Sequence, residues 1–420
     1  MQTIPQPRHQ LLHSALLSAV VLCLATPHTS AAQPALKEVF HSDFLIGAAL
    51  NRSHVSPPGL SAGNPQRVEA QVALVLHHFN QITAENDMKW QLIHPREGAD
   101  GYDFAPADAF VDFGTQHGMH VAGHTLVWHS QTPNWVFAGT NPPPPDPDAA
   151  APSTNQPPRR NRPPGRAYSG PRASRDQLLQ RMRDHIHTVV GRYKGRVKTW
   201  DVVNEAIADG PGTNVLRNSL WLQIIGPDYI AKAFQFAHEA DPDAVLRYND
   251  YGLEDPRKRR KLLELIRSLQ AQQVPIHAIG SQAHLNVSIR PDSMDLALAE
   301  MKTLGLPIHI TELDINGAVA GQQQTGADIS ANAAATAGGL VSDADRRLAD
   351  AYAGVFRAFR KHRDAVTMVT FWGVNDAVSW RRNGKPLPFD DQSQPKPAFH
   401  AIVAEAAASP APPPSPPTDP

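Results

Sequence analysis

Two glutamates stand in runs where a buried strand should tolerate no carboxylate. Glu205 closes "VKTWDVVNE" (197–205), and Glu312 lies inside "PIHITELDI" (307–315). Such a group is costly to bury unless it is paired or put to use. Other side chains able to act on a ligand gather at the ends of similar runs. Glu85, Asn86 and Lys89 close or follow "FNQITAE", and His124, Trp128 and Gln131 lie in or after "HVAGHTLV". Asn204 precedes Glu205, Tyr251 follows "AVLRYND", and Gln282 and His284 end "IHAIGSQAHL". Asp314 follows Glu312 by two, and Trp372 and Trp380 lie in or after "VTMVTFWGV". Amides hydrogen-bond hydroxyls and indoles cover apolar ring faces, so the set suits a neutral, polyhydroxylated ligand. Two carboxyl groups flanking one bond are what glycoside hydrolysis needs. They act as nucleophile and acid/base or, set wider apart, as base and acid with a water between them.

These residues need a scaffold that brings strand ends to one place. Eight runs read as strands: 44–50, 79–85, 120–127, 197–205, 244–250, 276–285, 307–315 and 366–374. Between them lie helical stretches such as 67–78, 176–194, 228–240 and 346–363, whose apolar residues recur three and four apart. The alternation predicts an α/β protein, a single-domain (β/α)8 TIM barrel with its site at the C-terminal ends of the strands. An open doubly wound sheet would usually offer a Gly-rich phosphate loop after its first strand, and none is present. On the barrel, strands four and seven bring Glu205 and Glu312 toward each other across the mouth.

The flanks have a different character. In residues 1–32, Arg8 precedes an apolar run, Ala15 to Ala25, and small residues follow, which is the layout of a secretory signal peptide. The expected product is secreted, extracellular or periplasmic, with no membrane attachment once the leader is removed. The single cysteine, Cys23, falls in that leader, so neither disulfides nor cysteine chemistry is expected in the mature chain. The barrel is expected over 36–405, with a Pro-rich insert after the third strand at about 138–173 and a flexible loop at about 317–340. Residues 406–420 read as a Pro-rich tail.

Lys plus Arg (39) and Asp plus Glu (40) nearly cancel, which removes the electrostatic case for nucleic acid. "RKRRK" (257–261) reads as the solvated face of a helix. Trp90, Trp135, Trp200 and Trp221 read as packing, and His77, His78, His185 and His187 as surface or satisfied core residues. His124, His129 and His284 form no ligand-spaced cluster, so no metal is expected. No organic cofactor or protein partner is expected either.

The segments "FNQITAENDMKWQLIHP", "GHTLVWHSQTPNW", "WDVVNEA", "GSQAHL", "HITELDI" and "FWGVNDAVSW", in that order, resemble the endo-1,4-β-xylanases of glycoside hydrolase family 10. The likeness runs from about Phe40 through "FDDQSQPKPAFHAI". It implies a (β/α)8 barrel and hydrolysis of β-1,4-xylosidic bonds in xylan and xylo-oligosaccharides with retention of configuration. It implies that Glu205 is the acid/base and Glu312 the nucleophile, with Asn204 on the 2-hydroxyl of the attacked sugar. His284 would hydrogen-bond Glu312, Asp314 would steady that histidine, and Asp201 would tune Glu205. Lys89, His124, Trp128, Gln282 and Trp372 would surround the reacting sugar. Glu85, Asn86, Gln131 and Trp380 would hold the next sugar on the non-reducing side, and Tyr251 would stack on the leaving-group side. Gly252 departs from the pattern, standing where that family often has Asn. Two other readings stand beside this one. The first is a β-1,4- or mixed-linkage glucan hydrolase of the same mechanism, with Glu85, Gln131 and Trp380 admitting or refusing the extra hydroxymethyl group of glucose. The second is a non-catalytic carbohydrate-binding protein, against which the presence of both glutamates counts.

Overall fold

A computed structural model describes residues 33–56, 64–141, 168–317 and 342–408. The leader, most of the Pro-rich insert, all but the first residue of the 317–340 loop and the tail beyond Ser409's predecessor at 408 lie outside the described residues. Eight strands alternate with long helices: β1 (Leu45–Leu50), β2 (Gln81–Ala84), β3 (His120–Trp128), β4 (Val197–Asn204), β5 (Val245–Asp250), β6 (Ala278–Ser281), β7 (Ile308–Asn316) and β8 (Val366–Phe371). Each pairs in parallel with the next, and β8 pairs with β1, which closes the barrel. The strands are buried along nearly their whole length, as parallel strands covered by helices on the outside must be.

The helices that follow these strands are α1 (Pro65–His78), α2 (Ala105–Gln116), α3 (Arg175–Arg192), α4 (Tyr229–Ala240), α5 (Pro256–Ala271), α6 (Pro291–Lys302), α7 (Asp343–Lys361) and α8 (Pro397–Ala407). Local sequence sets several of their starts. Asn64, Ser174, Asp255 and Ser342 each turn a side-chain oxygen onto a first-turn N–H, and Pro65 and Pro256 take positions where no N–H is needed. Their apolar faces, such as Leu178, Met182, Ile186 and Val190 of α3, pack on the sheet.

The barrel interior is polar in one layer. Gln81 of β2 accepts from Thr370 of β8 (2.7 Å), His120 of β3 meets Thr199 of β4 (2.9 Å), and Arg247 of β5 meets His309 of β7 (3.0 Å). Buried polar groups are tolerable there because they satisfy one another.

The structure corrects five expectations. The sixth strand is not continuous over 276–285. It breaks after Ser281 and resumes as His284–Asn286, with Ala283 at φ 54 between. The basic run is not a solvated face: Lys258, Arg259 and Lys261 are buried. Their long stems lie along apolar surface while their heads reach Asp250, Glu300 and the carbonyls of Ala208 and Gly210. His185 is buried with no hydrogen-bond partner on either ring nitrogen, and stacks face to face on Trp90 at 3.6 Å. The ends of the insert belong to the barrel, since Ala138 bridges Arg172 and Gly139 N–H donates to Pro171 O (2.9 Å). At the other end of the chain, α8 runs to Ala407, so the first residues assigned to the tail are helical.

Candidate active site

Register decides which side chains meet at the mouth. Trp128 of β3, Asn204 of β4 and Asn249 of β5 lie side by side across adjacent strands. Glu205 comes next on β4 and leaves the strand with φ 57, a conformation that residues with a β-carbon seldom adopt. Its N–H donates to Asn249 O at 2.9 Å.

The two glutamates are both buried, 4 % and 5 % exposed. A chain of amides joins them. Gln282 Nε2 donates to Glu205 Oε1 (3.0 Å) and Asn204 Oδ1 (3.2 Å), and Asn249 Nδ2 donates to Asn204 Oδ1 (3.0 Å) and Glu312 Oε1 (2.8 Å). Asn249 reaches across because its neighbour in register is Gly280. A β-carbon there would lie 2.4 Å from Asn249 Oδ1. The break at Ala283 lets Gln282 serve Glu205 while His284, two residues on, serves Glu312 through Nε2 (3.1 Å).

The neighbours push the two carboxyl groups in opposite directions. Burial raises the pKa of Glu205, and the nearby carboxylate of Asp250 adds to the rise; the hydrogen bonds from Gln282 and Trp128 Nε1 (2.8 Å) only temper it. Burial also pushes Glu312 up, but the hydrogen bond from His284 and the charges of His124 and His284 outweigh it, and its pKa falls below the ordinary carboxylate value. His284 is itself buried, which favours its neutral form. Asp314, 3.1 Å from Nδ1, and Glu312 reverse that and raise it to about 9. Asp314 is held in turn by Arg381 (3.0 Å) and Trp380 Nε1 (2.7 Å). One buried carboxyl group thus favours its acid form and the other its anion, the division of labour that acid and nucleophile require.

Asp201 makes its hydrogen bonds away from Glu205. Its register neighbours are His124 and Arg247, and these claim both oxygens. Arg247 Nε and Nη2 donate at 2.7 and 3.1 Å, and His124 Nδ1 lies at 2.9 Å. Burial would raise this carboxyl, yet the Arg247 charge and the His124 hydrogen bond hold it at about 2. Its charge acts on Glu312, against the fall in that group's pKa.

The chain matches the sequence profile of glycosyl hydrolase family 10 over residues 35–405. The chain belongs to glycosyl hydrolase family 10. It is 41% identical over 379 residues to an endo-1,4-beta-xylanase of Geobacillus stearothermophilus, covering 88% of this chain and 98% of that one. Its fold matches the crystal structure of xylanase XynB from Paenibacillus barcinonensis with a TM-score of 0.71 at 36% identity, covering 89% of this chain and 99% of that one. A Thermoanaerobacterium saccharolyticum xylanase described as intracellular matches with a TM-score of 0.70 at 36% identity, over 89% and 99% of the two chains.

Within this family-10 barrel the other expected residues lie at or after the C-terminal ends of the strands. Lys89 Nζ donates to Asn86 Oδ1 (3.0 Å) and sits 5.2 Å from the Trp128 ring centre. Burial lowers its pKa, against the charges of Glu312, Glu85 and Glu205. Burial raises the half-buried Glu85 in spite of Lys89. Trp372 packs edge-on against His124 at 5.3 Å. Gln131, at φ 45, accepts from Gln91 N–H through its main chain (2.9 Å). The Tyr251 ring carries Lys258 Nζ 3.3 Å from its centre, with the Arg217 guanidinium carbon 6.0 Å away. Gly252 has φ 67, in the left-handed region that Gly and Asn enter most readily, so both residue types suit that position. Among the described residues, no group of three or more His, Cys, Asp or Glu is placed to hold a metal ion.

Sequence reasoning missed Arg247, Trp221 and Arg381 as site-building residues, and gave Asn249 no role beyond closing its strand at the mouth. Trp221 is packing, as expected, but its Nε1 also donates to Trp128 O (2.9 Å) and so fixes the indole that touches Glu205. Asn249 carried a signal, since it ends a strand whose neighbour ends in Asn204-Glu205. Arg247 carried none beyond being a cation in an apolar run.

Proposed function

We propose that this chain hydrolyses β-1,4-xylosidic bonds within xylan by a retaining double displacement, with xylan and xylo-oligosaccharides as substrates. Membership of the family and the xylanases among its relatives support the reaction and the substrate. The observation that carries the residue roles is that two buried carboxyl groups joined by amides have neighbours that shift their pKa values in opposite directions.

In the first step the Glu205 carboxyl gives its proton to the glycosidic oxygen as the bond from that oxygen to C1 breaks. A Glu312 oxygen forms the new bond to C1, producing a glycosyl ester. In the second, the Glu205 carboxylate takes a proton from water while the water oxygen attacks C1 and frees Glu312. Asn204 Oδ1 is taken up by Asn249 and Gln282, so its Nδ2 end serves the sugar 2-hydroxyl. His284, held by Asp314, keeps Glu312 ionised, and Asp201 fixes His124. Lys89, His124, Trp128, Gln282 and Trp372 enclose the reacting sugar. Glu85, Asn86, Gln131 and Trp380 take the next one, and Tyr251 takes the departing one.

The test is reducing-sugar release from xylan, carboxymethylcellulose and mixed-linkage glucan, with the Glu312→Ala protein as blank. Strong release from xylan that vanishes in the blank is the expected outcome. Release mainly from the glucans would overturn the substrate, and undiminished release by the blank would overturn the nucleophile. Export is part of the proposal and rests on the leader pattern of residues 1–32. Mature protein recovered from outside the cytoplasm should begin near Gln33, whereas an uncleaved chain confined to the cytoplasm would refute it.

A further inference from the structure

The acid/base must act twice from one position, on the glycosidic oxygen and then on water. Its backbone, however, leaves the strand at φ 57, and such a conformation persists only where the surroundings impose it. On the N–H side the imposition comes from β5. Asn249 O accepts from Glu205 N–H (2.9 Å), and Tyr248 Oη accepts from Ala206 N–H (3.0 Å) and Ile207 N–H (3.1 Å). Tyr248 Oη in turn donates to Asp250 (2.6 Å).

The carbonyl of Glu205 is met from elsewhere. The chain makes an excursion after Ala206 and returns at Arg217, whose N–H donates to Ala206 O (2.7 Å). The Arg217 side chain then folds back, and its Nε donates to Glu205 O at 3.0 Å. The far end of the same guanidinium reaches the leaving-group side. Nη2 donates to Tyr251 Oη (2.8 Å) and Asp209 Oδ2 (2.9 Å), and Tyr251 Oη donates to Asp209 Oδ2 (2.6 Å). Lys258 locks the far side through Asp209 Oδ1 (3.0 Å) and Asp250 Oδ1 (2.9 Å). A planar fork with fixed donor directions is suited to hold two bodies at a set distance, which a point charge on a flexible stem is not.

We propose that Arg217 is a positioning residue for proton donation, tying the main chain of Glu205 to the Tyr251 platform so that carboxyl and departing sugar keep one relative placement. The inference rests on Glu205 being the acid. It touches neither Glu312 nor the sugar being attacked, so it bears on leaving-group departure alone. Displacing a catalytic group by about 1 Å can cost about 100-fold in rate.

The experiment compares kcat/KM on xylan with kcat/KM on 2,4-dinitrophenyl β-xylobioside, whose leaving group departs without a proton. Wild type, Glu205→Ala, Arg217→Met and Arg217→Lys are measured side by side, with circular dichroism and thermal melts to show that each is folded. Arg217→Met is expected to lose about 10- to 100-fold on xylan and less than about threefold on the dinitrophenyl substrate. Arg217→Lys should show the same split with a smaller loss, and it carries the comparison if the Met variant does not fold. Equal losses on the two substrates in a folded variant would reduce Arg217 to a structural role and overturn the proposal, as would no loss on xylan. If Glu205→Ala itself shows no split, the assignment of the acid fails and the inference falls with it. A split in Glu205→Ala without one in the Arg217 variants removes only the inference.

Discussion

Replacing His284 with Gln tests the electrostatic argument most directly. The imidazole lies between two buried carboxylates, Glu312 at 3.1 Å from Nε2 and Asp314 at 3.1 Å from Nδ1, with a side chain 12% exposed. Burial alone would favour the neutral ring, yet the two anions raise its pKa from 6.5 to about 9. A group raised in this way contributes stability that is fully present below pH 6.5 and is lost as the pH rises through 9. At about 1.4 kcal/mol per pH unit the gap is worth about 3 kcal/mol. The assay is urea unfolding of wild type and His284→Gln at several pH values from 6 to 10. Gln keeps a donor for Glu312 but cannot be charged. The stability difference between the two proteins should therefore shrink by about 3 kcal/mol between pH 6 and pH 10. A difference that stays constant across that range would mean the ring is neutral in the folded protein. The account of why Glu312 is ionised would then be wrong.

Three further outcomes follow from the same geometry. Trp128→Phe removes the hydrogen bond that favours the Glu205 carboxylate, so the basic limb of the kcat/KM profile on xylan should move to higher pH; a limb that moves down counts against the assignment of the acid. Gly280→Ala places a β-carbon 2.4 Å from Asn249 Oδ1, and should cost about 1–3 kcal/mol in thermal melts and about tenfold or more in kcat; unchanged kcat would show that Asn249 need not be held where it is. His54 is buried with its pKa lowered to about 4, so its contribution is intact above pH 6.5 and lost as the pH falls toward 4. Urea unfolding should show wild type losing about 3 kcal/mol more than His54→Gln between pH 7 and pH 4, and parallel losses would refute it.

The barrel was legible because its strands alternate with amphipathic helices, and the site was legible because polar residues ended runs that had no local use for them. Glu205 and Glu312 fell out of that rule, as did Gln282 and His284. What escaped were relations between strands. Nothing in the linear order of "WDVVNEA" says that Asp201 lies opposite Arg247 and His124, nor that a register shift just after it, where β4 meets β5, sets Asn204 beside Asn249. The break that parts Gln282 from His284 escaped for another reason. Ala283 at φ 54 is an Ala in a conformation that its own propensity disfavours, so tertiary contacts impose it. The basic run "RKRRK" misled because two of its carboxylate partners, Asp209 and Glu300, come from distant parts of the chain.

Burial by itself does not decide which glutamate gives a proton and which attacks. Both carboxyl groups are almost wholly enclosed, and enclosure pushes both toward the acid form. The difference lies in what stands behind each. Glu205 has a carboxylate, Asp250, whose own charge is paired with Lys258. Glu312 has an imidazole kept positive by Asp314, whose remaining oxygen is met by Arg381. Exchanging the glutamates' chemistry would therefore require changing those neighbours, not the glutamates. The amide chain between them donates an N–H to each carboxyl group, so it fixes their placement and leaves the difference between them to those neighbours. That separation lets one small cavity hold an acid and an anion at the same pH.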